Sequence, residues 1–200
     1  MWVSLETWLI GDGQFPDVGL GAILRNCGLR LNCSYLNASH QSFEGVREVR
    51  VDDVGRVRYE VIGRCLSVTG PMAALMAMPD WLTIAEPDAC RGVEGALDSP
   101  AVEPWSEQFR PPAPNEMVKA EGWLGVVADH EWDAFAIPDS RMDWRLQRIR
   151  LIEHQMVRVH GEPPDMHTFG PVVRATQVDR LSRAADGVMG ARYLVDLHPA

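Results

Sequence analysis

Lysine is almost missing from this sequence. Of the 19 basic residues, 18 are arginine and Lys119 is the one lysine, whereas 28 residues are acidic and the formal net charge is -9. Binding to phosphate backbones depends on clustered basic side chains that release counterions. The charge balance therefore makes nucleic acid an unexpected partner. The arginine bias is typical of a high-GC genome and indicates a bacterial source.

A long apolar run is also missing. No stretch approaches the roughly 18–20 apolar residues that a transmembrane helix needs, and the first residues lack the basic and apolar regions of a signal peptide. The length and the 46% hydrophobic content are sufficient for one substantial domain or two small ones. We therefore predict a globular, acidic, cytoplasmic protein with no membrane segment.

The familiar sequence signatures of catalytic and metal sites are absent. The four cysteines, Cys27, Cys33, Cys65 and Cys90, form no CxxC pair, and there is no GxSxG or complete GxGxxG motif. We predict that the cysteines are buried thiols, with Cys27 and Cys33 on one face of a single strand. We predict no cofactor and no bound metal.

Short segments with alternating apolar and polar residues dominate the chain. Residues 57–65 and 118–128 each place apolar side chains on one face, and residues 2–10 are predicted as the first strand. Central glycines, Gly63 and Gly122, are typical of the sharply coiled first strand of an OB barrel. The pattern predicts a mostly β fold: two small barrel-like, OB-like subdomains, or one composite β-barrel or sandwich with few short helices.

The alternation is lost between residues 89 and 112, where prolines and acidic residues recur. Such a composition indicates a linker or a segment that wraps across the surface. We therefore predict an N-terminal β subdomain at 1–88 and a C-terminal β subdomain at 113–200.

One acidic cluster is a candidate for acid/base chemistry. It consists of Asp129, His130, Glu131 and Asp133. On a strand the three carboxylates share one face, while His130 points to the other. The alternative is a solvated strand face whose acids lie opposite arginines of a neighbouring strand.

Seven tryptophans are the most distinctive feature of the composition. Exposed aromatic and arginine side chains often anchor partners, whereas buried aromatics stabilise a core. The stretch 132–144 combines both kinds of residue and is the predicted binding surface, formed by Trp132, Phe135, Asp139, Arg141, Asp143 and Trp144. The alternative is that its aromatic side chains face the core.

Three stretches carry a family resemblance: "WLIGDGQFPDVGLGAILRNCGLRL", "EGWLGVVADHEWDAFAIPDSRMDWRLQRIRL" and "YLVDL". Together they look like a group of uncharacterised actinobacterial proteins of similar length. The resemblance implies a cytoplasmic protein of a high-GC Gram-positive bacterium, and it implies no activity.

The residues favour a non-catalytic binding or protein-interaction module whose partner is a protein or a small molecule. The competing hypothesis is a small acid/base enzyme, hydrolase-like, that uses the cluster at 129–133. A pocket in which two of those groups converge would favour the enzyme. The sequence does not indicate the oligomeric state.

Overall fold

The computed structural model describes residues 1–69, 73–87, 112–127, 140–158, 167–185, 188 and 190–200. Strands make up 67% and helices 5% of the described residues, which confirms the mostly β fold. The described strands are β1 (Trp2–Glu6), β2 (Ile23–Cys27), β3 (Leu29–Ala38), β4 (Gly45–Val51), β5 (Val57–Thr69), β6 (Ala73–Ala77), β7 (Leu82–Pro87), β8 (Met117–Val126), β9 (Met142–Arg158), β10 (His167–Val178) and β11 (Ala191–Pro199). The described helices are α1 (Thr7–Gly11) and a 3₁₀ turn (Arg183–Ala185). Neither is long and apolar enough to cross a membrane.

The chain forms two compact units, and each is discontinuous in sequence. The barrel unit comprises Asn26–Arg50 and Arg58–Met142, and the sheet unit comprises Met1–Arg25, Val51–Val57 and Asp143–Ala200. Both units thus take residues from both halves of the chain, whereas the sequence interpretation places one subdomain on each side of 89–112. Apart from Pro112, that segment lies outside the described residues, and its role as a linker stays a prediction.

The barrel unit contains a closed ring of five strands. β3 pairs with β8 and β7, β6 pairs with β7 and β5, and β5 pairs with β8, which closes the ring. The β3–β7 pair is parallel and the other four pairs are antiparallel. The apolar faces predicted from alternation line the core, since Val61 and Cys65 of β5 and Val118 and Ala120 of β8 are fully buried.

Two glycines allow the ring to close. β5 pairs with β8 up to Arg64 and with β6 from Arg64 onward, so Gly63 lies where the strand passes from one partner to the other. A Cβ at Gly63 would lie 2.7 Å from the carbonyl oxygen of Ala77, and one at Gly122 would lie 2.1 Å from that of Asn32. Both positions therefore require the close backbone approach that only glycine permits.

The sheet unit is built around β9, the longest described strand with 17 residues. β9 pairs antiparallel with β10 and β11, β11 pairs with β1, and β2 also pairs with β9. A bulge near Asp196 interrupts the alternation, and Leu146 and Ile149, three residues apart, are consequently both buried. The core of this unit includes the fully buried Trp144.

A buried carboxylate ties the termini of the sheet unit together. Asp196 accepts hydrogen bonds at 2.8 Å from the Met1 amino group and at 2.8 Å from Nε of Arg148. Burial opposes ionisation of Asp196, but these hydrogen bonds outweigh it and lower the pKa of the carboxyl group. Arg148 and Arg150 also lie over the ring of Trp2, at 4.7 and 4.6 Å from its centroid. The cluster is a structural feature of the sheet.

Two predicted strands differ from the structure. The strand predicted at 2–10 ends at Glu6 and gives way to α1, and Trp8 of that helix is 39% exposed. The strand predicted to carry Cys27 and Cys33 breaks at Gly28 into β2 and β3, after a positive φ at Asn26. Cys27 and Cys33 are therefore on different strands, although both are buried free thiols as predicted, as is Cys65. Cys90 lies outside the described residues.

Candidate functional site

A groove of about 480 Å³ runs along the outer flank of the barrel unit. The loop before β4 and the start of β4 form one side, and the outward faces of β5 and β8 form the other. We call it the barrel-flank groove, and its lining residues are Gln41, Phe43, Gly45, Val46, Arg47, Glu60, Ile62 and Lys119. Its volume lies in the range of known ligand pockets, about 300–1,000 Å³.

The groove has apolar walls over an ionic floor. Phe43 is 62% exposed, whereas Ile62 is buried at the base. β5 and β8 pair Ile62 with Lys119 and Glu60 with Glu121, so these side chains lie on one face of the sheet. The outward face of 57–65, which alternation predicts to be largely charged, thus forms the floor.

Glu60 is the centre of the ionic floor. Its two carboxylate oxygens contact Nζ of Lys119 at 2.6 Å and Nη2 of Arg47 at 3.0 Å. The hydrogen bond from Lys119 is the main reason that the pKa of Glu60 is lowered, burial opposes the shift, and the charge of Arg47 adds to it. Glu60 is therefore ionised at neutral pH, and the trio carries a net positive charge.

Two further ion pairs lie on the same unit. Arg50 approaches Glu121 at 3.5 Å, and Arg64 approaches Glu44 at 3.4 Å. The arginine side chains of these pairs are 63% and 53% exposed, whereas the carboxylate side chains are 21% and 22% exposed. The positive ends thus face solvent, and the acidic ends lie beneath them.

β4 forms one edge of the groove and is the last strand in the order of the described sheet. In the described part of the chain, β5 is the one strand that pairs with β4. Its apolar residues Val46 and Val49 are 37% and 43% exposed. A free strand edge with exposed β-branched side chains is a template for pairing with another chain.

The described part of the predicted binding surface is divided between core and surface. Trp144 is fully buried, which corrects its assignment to that surface: it packs in the core of the sheet unit. Asp143 is 44% exposed and lies 3.8 Å from Arg25. Arg141 lines a smaller depression of about 360 Å³ together with Met78, Asp80, Trp81, Leu82, Ser140 and Met142.

The remaining candidate residues lie outside the described residues. These are Trp132, Phe135 and Asp139 of the predicted surface and Asp129, His130, Glu131 and Asp133 of the acid/base cluster. Within the described ranges, no three His, Cys, Asp or Glu side chains are grouped closely enough to hold a metal ion.

Sequence reasoning did not find the barrel-flank groove. The alternation in 57–65 marked Glu60 and Ile62 as outward-facing, and Lys119 stood out as the one lysine. These signals come from segments far apart in the chain, and only the β5–β8 register brings them together. Phe43 carried no signal, since a single phenylalanine in a polar loop is unremarkable.

Comparisons with protein-family models, with curated proteins and with solved structures find no match to this chain. The groove itself is therefore the basis for a functional proposal.

Proposed function

We propose that this protein is a non-catalytic binding module that holds an extended segment of a partner protein in the barrel-flank groove. The observation that carries the proposal is the exposed Phe43 beside a concave surface with an ionised, cation-rich floor. Aromatic and arginine side chains contribute most of the energy at protein interfaces. The groove combines both, since Phe43 and Arg47 are among its lining residues.

The edge of β4 supports an extended peptide over a compact small molecule. A peptide strand added to a free sheet edge gains main-chain hydrogen bonds, and neighbouring pockets select its side chains. β4 offers that edge directly beside the groove, with Val46 and Val49 exposed along it. A small molecule would occupy the groove and leave the edge unused.

The protonation state of the floor supports binding rather than proton transfer. A general acid or base works best with a pKa close to the working pH. The pKa of Glu60 is displaced in the opposite direction, below its ordinary value of 4.5, mainly by Lys119. Glu60 thus acts as a fixed anion that positions Lys119 and Arg47.

The strand pairing also supports an OB-like interpretation of the barrel. In an OB barrel the first strand pairs with the second and the fourth, and the third and fifth are parallel neighbours. If β5, β6, β7, β8 and β3 are taken as OB strands one to five, the ring has the same pairs. β5 pairs with β6 and β8, and β7 is parallel to β3. We propose that the ring is an OB-like barrel in circularly permuted order, in which β3, the equivalent of the fifth OB strand, comes first in the chain.

This interpretation also favours the flank as the binding site. The second and third strands of an OB barrel form its usual ligand face. Their counterparts are β6 and β7, in which Ala74, Met76, Ile84 and Ala85 are buried. On the outward face of β5 and β8, by contrast, the side chains of Lys119 and Arg64 are 34% and 53% exposed.

The acid/base enzyme is the alternative hypothesis. Its residues, Asp129, His130, Glu131 and Asp133, lie outside the described residues, so the hypothesis stays a prediction. Cytoplasmic location and actinobacterial origin stay predictions from the sequence.

A peptide selection tests the binding module. The protein is immobilised and presented with a phage-displayed library of random peptides, and enriched peptides are titrated into ¹⁵N-labelled protein. We expect shifts at the amides of Val46, Arg47 and Lys119. We expect Phe43→Ser to weaken binding about tenfold or more, as for an interface anchor.

Val173→Ser is the matched control, because Val173 is 72% exposed and lies on β10 in the sheet unit. It should leave the affinity unchanged. If the library yields no enriched peptide, or if enriched peptides bind equally well to the Phe43→Ser variant, the proposal is wrong.

A further inference from the structure

We propose that the segment bound in the barrel-flank groove is acidic, with carboxylates flanking an apolar anchor; this inference rests on the proposed function. The charge arrangement of the flank carries it. Three arginines, Arg47, Arg50 and Arg64, each contact one carboxylate with part of a guanidinium group that is otherwise exposed.

The ion pairs are layered, with cations outside and anions inside. The side chains of Arg47, Arg50 and Arg64 are 72%, 63% and 53% exposed, whereas those of their partners, Glu60, Glu121 and Glu44, are 17%, 21% and 22% exposed. An approaching ligand therefore meets guanidinium groups before it meets carboxylates. The more exposed member of each of these three pairs is therefore the cation, although the whole chain has a net charge of -9.

The carboxylates beneath the arginines also restrain the guanidinium groups in positions from which they can bind a ligand. A guanidinium group has five N–H donors, and one carboxylate contact leaves several of them for a second acceptor. Because each half-buried acid restrains one side of its arginine, less conformational entropy is lost when a partner carboxylate binds the other side. Bidentate arginine–carboxylate contacts are among the stronger charge-assisted hydrogen bonds.

A carboxylate-bearing peptide fits this surface better than a nucleic acid does. Each arginine is already paired with an acid, and Glu48 is a further exposed carboxylate on β4. The named charges of the flank therefore nearly cancel, and few counterions would be released on binding a phosphate backbone. A peptide with a few carboxylates, placed beside Phe43 and the β4 edge, needs only the exposed sides of the arginines.

Three synthetic peptides test the inference by fluorescence anisotropy. Each carries a fluorescein label and a central Leu-Phe pair, and the flanking residues are glutamate, glutamine or lysine. We expect the glutamate peptide to bind about tenfold more tightly than the glutamine peptide, a difference of about 1.4 kcal/mol. The lysine peptide should bind most weakly, and added salt should reduce the difference.

Charge variants identify the side chains that cause the preference for the glutamate peptide. Arg47→Gln and Arg50→Gln should each weaken the glutamate peptide by about three- to tenfold and should weaken the glutamine peptide by a smaller factor. Glu48→Gln should strengthen it about twofold. The matched control is Arg174→Gln, because Arg174 is 66% exposed and pairs with Glu153 in the sheet unit. It should have no effect.

Failure of this inference is distinguishable from failure of the binding module. If the glutamine and glutamate peptides bind equally well, the partner is not acidic, although the groove still binds peptides. If none of the three peptides binds, the prediction of an acidic partner is again wrong. The library selection then determines whether the groove binds peptides at all. A short thymidine oligonucleotide that binds through Arg47 and Arg50, where the glutamate peptide does not, would also overturn it.

Discussion

Asp196 in the sheet unit and Glu60 in the barrel unit are chemically similar sites with different surroundings. Each is a carboxylate held between two cations, and each has a lowered pKa. Asp196 is 5% exposed and lies between the Met1 amino group and Arg148. Glu60 is 17% exposed, at the floor of a groove, with Arg47 72% exposed above it. The same kind of ion pair stabilises the sheet at Asp196 and orients exposed cationic side chains at Glu60.

The aromatic residues show the same contrast. Trp144 has no exposed surface, whereas Phe43 is 62% exposed beside the groove. Aromatic and charged residues therefore indicate a site here only where they remain accessible. The residue type alone does not separate structural from binding roles.

Replacing the two aromatic residues should give the largest difference in unfolding free energy between a core position and a groove position. Trp144→Ala should lower the free energy of unfolding by about 3–5 kcal/mol, because a fully buried indole leaves a cavity. Phe43→Ala should change it by less than about 0.5 kcal/mol, since its side chain is largely solvated. Urea denaturation followed by circular dichroism measures both. Equal losses for the two variants would contradict the assignment of one to the core and the other to the surface.

Replacing one glycine in the closed barrel wall and one beside the open groove should have different effects on stability. Gly122→Ala should destabilise the protein by about 2–3 kcal/mol, because the added Cβ would collide with the carbonyl oxygen of Asn32. Gly45→Ala is the control: its nearest neighbour would be Phe43, at an ordinary contact distance of 3.9 Å. Thermal unfolding of both variants checks this, and a well-tolerated alanine at 122 would show that the β3–β8 contact is loose.

The smallest expected losses of stability are those caused by replacing the two carboxylates. Asp196→Asn should cost about 2 kcal/mol at neutral pH, less than a fully buried pair, because Arg148 stays half exposed. Glu60→Gln should cost less than about 1 kcal/mol, as for a solvated ion pair.

The pH dependence of these losses follows from the lowered pKa values. A carboxylate with a lowered folded-state pKa contributes stability that is fully present above its ordinary pKa, which is 3.8 for Asp196. That contribution is lost as the pH falls through the lowered folded-state value. The difference between wild type and Asp196→Asn should therefore be constant near neutrality and shrink below about pH 4. A difference that grows on acidification would contradict the ion-pair account.

Much of the fold was predictable because alternation reports which face of a strand is buried. Residues 57–65 and 118–126 are strands with the expected buried faces, and the central glycines Gly63 and Gly122 both lie at close backbone contacts. The break at Gly28 and the helix at 7–11 were not predicted, since short apolar runs suit either helix or strand.

The β class, the burial of Cys27, Cys33 and Cys65 and the outward charges of β5 follow from the sequence, because they depend on local periodicity and on the preference of thiols for the interior. Only the three-dimensional structure shows that Trp144 is core, that Glu60 and Lys119 meet, and that Arg47, Arg50 and Arg64 lie above their acids. The physical reason is that such contacts depend on strand register. Register is set by long-range pairing and bulges, and a shift of one residue would turn every side chain of a strand to the opposite face.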